Sequence, residues 1–63
     1  MSLVELQRFS TAVEADLARL RLEAAGIEGF VFDSSTLYVN IVTGVRLMVD
    51  EADEVRARRV LRE

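Results

Sequence analysis

The chain has 63 residues and a formal net charge of −3, with 51% hydrophobic and 30% charged residues. That mixture suits a packed domain rather than a disordered segment, and the length allows one domain, residues 1–63, near the lower limit for folding without help. Cys and His are both absent, which removes disulfides, thiol nucleophiles, histidine bases, ordinary catalytic triads and zinc-type sites.

With disulfides and metals removed, self-association is the aid left to so small a domain, beside an unaided monomer. The acidic balance disfavours binding to phosphate backbones through a general field. Every basic residue is Arg, a composition that anion recognition can exploit but that does not require it. Met1-Ser-Leu-Val-Glu-Leu6 has no basic region followed by an apolar run, so no signal peptide is expected. No stretch approaches the ~18 apolar residues of a membrane span. The expectation is a cytoplasmic protein with neither a membrane nor a nucleic acid as partner.

In chain order, Leu3–Phe9 alternates as a first strand, with Val4 and Leu6 on one face and Glu5 and Gln7 on the other. Thr11-Ala-Val-Glu14 reads as a capping box that opens a helix running to about Ala25. Val13, Leu17, Leu20 and Ala24 fall at i, i+4, i+7 and i+11, which is one apolar face. Ala15, Ala18, Leu22 and Ala25 make a second, weaker stripe whose small residues permit close approach of the domain's other helix. Gly26 supplies the left-handed residue at which the helix turns off, and Ile27 folds back onto its last turn. A strand over about 28–33 follows, with Phe30, Val31 and Phe32 at its centre.

Asp33-Ser-Ser35 is a turn signal. Leu37–Val42 alternates and is rich in β-branched residues, and whether residues 34–44 form a strand or a loop stays open. Thr43-Gly44 breaks the pattern, and Val45–Val49 reads as a strand with Val45, Leu47 and Val49 on one side and Arg46 and Met48 on the other. Asp50 caps a last helix over roughly 51–62, whose apolar face is Ala57, Val60 and Leu61. Asp50, Glu51, Asp53 and Glu54 stand at the positive end of that helix, and Arg56, Arg58, Arg59 and Arg62 at its negative end. The helix macrodipole therefore accounts for the four arginines without a nucleic acid.

Right-handed crossovers place Val45–Val49 antiparallel between the other two strands, with both helices on one face. The expected fold is α+β, a ferredoxin-like βαββα two-layer sandwich without the usual closing strand. Val4, Leu6, Val31, Leu47 and Val49 would make the core.

The opposite sheet face would carry Phe30, Phe32, Met48 and Arg46, with Glu5 and Gln7 alongside. This is more apolar than a small monomer usually exposes. Either residues 34–44, with Tyr38 and Ile41, fold back to cover it, or it is a homodimer or partner surface. The outer edge of the first strand is also unpaired and could accept a strand from another chain, Leu37–Val42 being the obvious donor. Arg46 is the one charge there able to hold an anionic group bidentately, unless it pairs with Glu5 across the strands. The candidate binding residues are thus Phe30, Phe32, Arg46, Met48 and Tyr38, with no catalytic or metal site and no cofactor.

Three other patterns fall away. Gly26, Gly29 and Gly44 match neither a phosphate loop nor a dinucleotide fingerprint, and the acidic pairs near residue 50 lack calcium-loop spacing. Gly29-Phe-Val-Phe32 is similar to the aromatic stacking motif of RNA recognition domains. Here, however, Glu28 stands where that motif is basic, and the motif falls on the second strand instead of the third.

Glu14-Ala15, Leu22–Asp33, Gly44–Val49 and Ala57–Leu61 together resemble the short bacterial family called domain of unknown function 2007, labelled as a prokaryotic signal-transducing protein. The resemblance spans nearly the whole chain and rests on structural pieces. It implies a PII-like, ferredoxin-like core, self-association and a regulatory role. The chain departs from a true PII protein in lacking nucleotide-contacting motifs and a long loop with a modifiable tyrosine, so no modification is carried over to Tyr38. Many relatives have Pro after the last strand where Asp50 stands here, and either residue can start a helix. The expected function is a small regulatory or interaction module, self-associating through its sheet; the alternative is a sensor for a small metabolite or anion.

Overall fold

The computed structural model describes residues 1–33 and 44–62. Strand β1 (Leu3–Phe9) leads into helix α1 (Ala12–Ala24), then strand β2 (Gly29–Asp33), strand β3 (Val45–Asp50), a 3-10 turn (Glu51–Asp53) and helix α2 (Glu54–Arg62). β3 lies between β1 and β2 and is antiparallel to both. The β-α-β-β-α order on an antiparallel sheet is the ferredoxin-like α+β fold expected from the sequence. Most boundaries fall within one residue of those expected, and the last helix differs in that its first turn is wound more tightly as a 3-10 turn.

Local chemistry sets the element ends. Thr11 Oγ1 accepts a hydrogen bond from the Glu14 amide at 3.2 Å and donates to Glu14 Oε1 at 3.1 Å. The cap forms, although the Glu14 carboxylate takes the Thr11 hydroxyl. At the other end of α1, Gly26 has φ +82°. The Ile27 amide donates to the Leu22 carbonyl at 2.8 Å and the Gly26 amide to that of Glu23 at 2.9 Å, which is a Schellman closure. That closure turns Ile27 inward, where it is 1% exposed. Asp50 Oδ1 accepts from the Ala52 amide at 2.9 Å and starts the last helical segment.

The core sits between the sheet and the helices. Val45, Leu47 and Val49 of β3 are essentially unexposed; Leu6, Ile27, Leu22, Ala18 and Ala57 close over Leu47 and Val49, with Val4, Phe9, Val31, Val60 and Leu61 packed at the margin. Each fully buried Leu, Ile or Val contributes roughly 1.5–3 kcal/mol relative to exposure. Of the five sheet residues expected in the core, Leu6, Leu47 and Val49 are buried, and Val4 and Val31 pack against them at its margin.

Helix α1 departs from the simplest reading of its pattern. Its buried residues are Ala15, Ala18 and Leu22, the stripe that looked weaker. Val13, Leu17 and Leu20 face outward at 69%, 59% and 44% exposure. The reason is distance. A Cβ on Gly29 of β2 would stand 3.2 Å from Leu47 Cδ1 and 3.4 Å from Leu22 Cδ1, so helix and sheet meet too closely for a row of large side chains. The small stripe thus packs on the sheet as well as toward α2.

Strand β1 also carries a feature that alternation hides. Its register with β3 shifts between Glu5 and Gln7, skipping Leu6. Such a bulge lets two successive residues oppose one and reverses the facing of the residues beyond it. Phe9 therefore joins the core and Arg8 turns to the open face. Arg58 Nη1 of α2 donates to the carbonyl of the skipped Leu6 at 3.0 Å, so one of the arginines assigned to a solvated helix face ties α2 to the sheet.

Candidate functional site

The strand register builds the open face row by row. Phe30, Met48 and Glu5 are cross-strand neighbours in one row, and Phe32, Arg46 and Arg8 in the next. Phe30, Met48 and Arg46 are half-buried, and Phe32 is exposed. Alternation along β2 and β3 forces this placement, because Val31, Leu47 and their neighbours are committed to the helices. Four of the five candidate residues therefore share one surface. The fifth, Tyr38, lies outside the described residues, as does the Leu37–Val42 stretch considered as a strand donor.

The electrostatics of the face differ from the expected Arg46–Glu5 pair. Glu5 stands opposite Met48, and its carboxylate takes Arg8 Nη2 at 2.9 Å. Among the described residues Arg46 has no ion pair, and it faces Arg8 directly across the strands. Like charges in that position repel. Arg8 escaped the sequence reading because only the bulge at Leu6 brings it to this side; nothing in Leu3–Phe9 announces that insertion.

Chemically, the face offers two aromatic rings, a thioether and two guanidinium groups around a flat centre. It can bury apolar surface against a complementary sheet or helix, and it can accept an anion between the arginines. The ionisable side chains in the two rows of this face, among the described residues, are Glu5, Arg8 and Arg46. Among the described residues no cluster of three or more metal-ligating side chains occurs, and no helix is long and apolar enough to cross a membrane.

Beyond this face, one surface was not foreseen as exposed. The outward stripe of α1 is bordered by a shallow groove lined by Ala12, Val13, Asp16, Leu17 and Val31. The sequence signal was present, since two apolar stripes on one helix of a two-layer domain leave one without a partner.

A family model, DUF2007, described as "Putative prokaryotic signal transducing protein", matches residues 3–63 of the chain. No curated protein and no solved structure matches it.

Proposed function

The chain belongs to the DUF2007 family, and from that membership together with the open sheet face we propose that it is a non-catalytic interaction module of prokaryotic signalling that self-associates through its sheet. The observation that carries this reading is the row pairing of Phe30 with Met48 beside Phe32. A two-fold contact would stack these side chains on their counterparts and remove them from water. The cytoplasm is the proposed compartment. The acidic net charge supports protein partners over nucleic acids.

The test is the solution mass by sedimentation equilibrium from micromolar to millimolar concentration. The wild type should associate, and Phe30→Asp should lose most of that association by placing a charge at the centre of the contact. A Phe30→Asp curve that superimposes on the wild-type curve would overturn the reading.

A second reading, an anion or small-metabolite sensor, is favoured by Arg46, which faces Arg8 with no ion pair among the described residues. An anion seated between them would relieve their repulsion and gain charge-assisted hydrogen bonds. With inorganic phosphate as the probe, this reading expects a phosphate-dependent rise in melting temperature that Arg46→Ala abolishes. The sheet dimer by itself expects Arg46→Ala to leave the mass almost unchanged.

A further inference from the structure

We propose that the arginine end of the open sheet face binds an aromatic carboxylate, with the carboxylate on the Arg46 guanidinium and the ring over Phe32, and that this ligand and a second copy of the chain exclude one another. This rests on the anion-sensor reading of Arg46 and gives that sensor its ligand class.

Arg46 is half-buried and stands in the central strand between Phe32 and Arg8. Its guanidinium makes no hydrogen bond, ion pair or ring contact among the described residues. Arg8, Arg19 and Arg21, by contrast, each hold a carboxylate or a carbonyl. No acid is placed to serve Arg46. Glu5, in the adjoining row, is held by Arg8 at 2.9 Å. Asp50 is four residues along β3, roughly 13 Å away, and its carboxylate caps the last helical segment. Glu28 precedes β2 at that same far end, and alternation along β2 turns Asp33 to the other side of the sheet. Residues 34–43 contain no Asp or Glu.

The charges of the two rows set the charge of the ligand. Two guanidinium groups and one carboxylate leave one positive charge uncompensated, which a monoanion balances. A carboxylate also has the planar, two-oxygen shape that a guanidinium fork takes bidentately. Arg8 is not the group that moves. A Cβ on Gly44 would stand 3.3 Å from Arg8 Cγ, so the Arg8 stem is seated against Gly44 while its head is tied to Glu5. Arg46 is the arm left to close on a ligand.

A bare anion gains little here, because ion pairs between groups that reach water are weak and screened by salt. The neighbours of Arg46 supply the rest. Phe32 is 43% exposed and lies opposite Arg46, and Phe30 and Met48 follow about 7 Å along the same face. A ring attached to the carboxylate buries apolar surface on Phe32 in the same step that pairs the charge, in the offset stacking that aromatic rings prefer. That ring covers surface that a second copy would cover. Binding of the ligand therefore opposes self-association through the sheet and makes the ligand its effector.

The test follows the amide chemical shifts of isotope-labelled protein in titrations with phenylacetate, acetate and benzyl alcohol at constant ionic strength. Phenylacetate should shift the amides around Phe32 and Arg46 and bind about tenfold or more tighter than acetate, with benzyl alcohol also weaker. Arg46→Gln and Phe32→Ala should each lose about tenfold, and Arg62→Gln, on α2, should bind as wild type. Saturating phenylacetate should lower the sedimentation mass at a concentration where the wild type associates, and acetate should not. Phenylacetate no tighter than acetate overturns the aromatic class and leaves a plain anion sensor. A response unchanged in Arg46→Gln overturns the site, and a mass indifferent to bound phenylacetate overturns the competition. No shift with either carboxylate overturns the whole proposal, and the phosphate melting test then decides the anion-sensor reading by itself. A wild type that is monomeric at every concentration, yet binds phenylacetate at Arg46, overturns the sheet dimer and leaves the ligand site standing. Far-UV circular dichroism of each variant confirms that it is folded.

Discussion

The side of α1 turned to the sheet carries Ala15, Ala18 and Leu22, and the side turned away carries Val13, Leu17 and Leu20. Both sides are apolar, and the outer one has the larger residues. The difference shows that volume, not hydrophobicity, chose the buried side. Gly29, having no side chain, leaves room for the one large inner residue, Leu22, beside Leu47, and alanines fill the rest of the inner stripe. Hydrophobic surface that folding does not use is then left on the outside.

The largest expected effect tests this contrast directly. Leu22→Ala should cost about 2–5 kcal/mol, the usual range for emptying a buried Leu site. That approaches the whole stability of about 3–9 kcal/mol expected for a chain of this length. Leu17→Ala should cost less than about 0.5 kcal/mol. Urea unfolding followed by circular dichroism distinguishes them, and equal losses would mean that both sides of the helix are packed in the fold.

A smaller effect sharpens the comparison at α2, where Arg58 and Arg62 also look alike in sequence. Arg58 reaches the Leu6 carbonyl in the bulge and pairs with Glu54 at 2.9 Å. Arg62 has no ion pair among the described residues. Arg58→Met keeps the aliphatic stem and leaves the carbonyl without its donor, so a loss of about 1–1.5 kcal/mol is expected. Glu54→Gln removes only an exposed ion pair, generally worth about 0–1 kcal/mol, and should cost less. Arg62→Met should be nearly silent. The midpoints of the same urea transitions provide the check.

These residues also show how far the sequence could be read. Thr11, Gly26, Asp50 and the alternation of β2 and β3 act through near neighbours along the chain. Their roles, and through them the fold and the positions of Phe30, Phe32, Arg46 and Met48, were therefore legible. Arg8, Arg58 and the inner face of α1 were not, because each depends on a distance between elements far apart in sequence. The bulge at Leu6 is invisible in Leu3–Phe9 itself. It decides that Phe9 goes in, that Arg8 goes out beside Arg46, and that a carbonyl is left for Arg58. Two apolar stripes on α1 could be counted, but which one faced the sheet depended on how closely the helix approaches.

The smallest expected effect on the fold is also the most discriminating. Leu17→Gln preserves helix propensity and removes only exposed apolar surface, so at low protein concentration its unfolding midpoint should match wild type within about 0.5 kcal/mol. Association through the sheet stabilises the folded state by mass action, and Leu17 lies on the helix layer, outside that contact. The wild-type and Leu17→Gln midpoints should therefore climb in parallel as protein concentration rises. A gap already present at the lowest concentration and constant thereafter would place Leu17 in the fold of the single chain. The outer side of α1 would then be part of the core, and the contrast between its two faces would disappear.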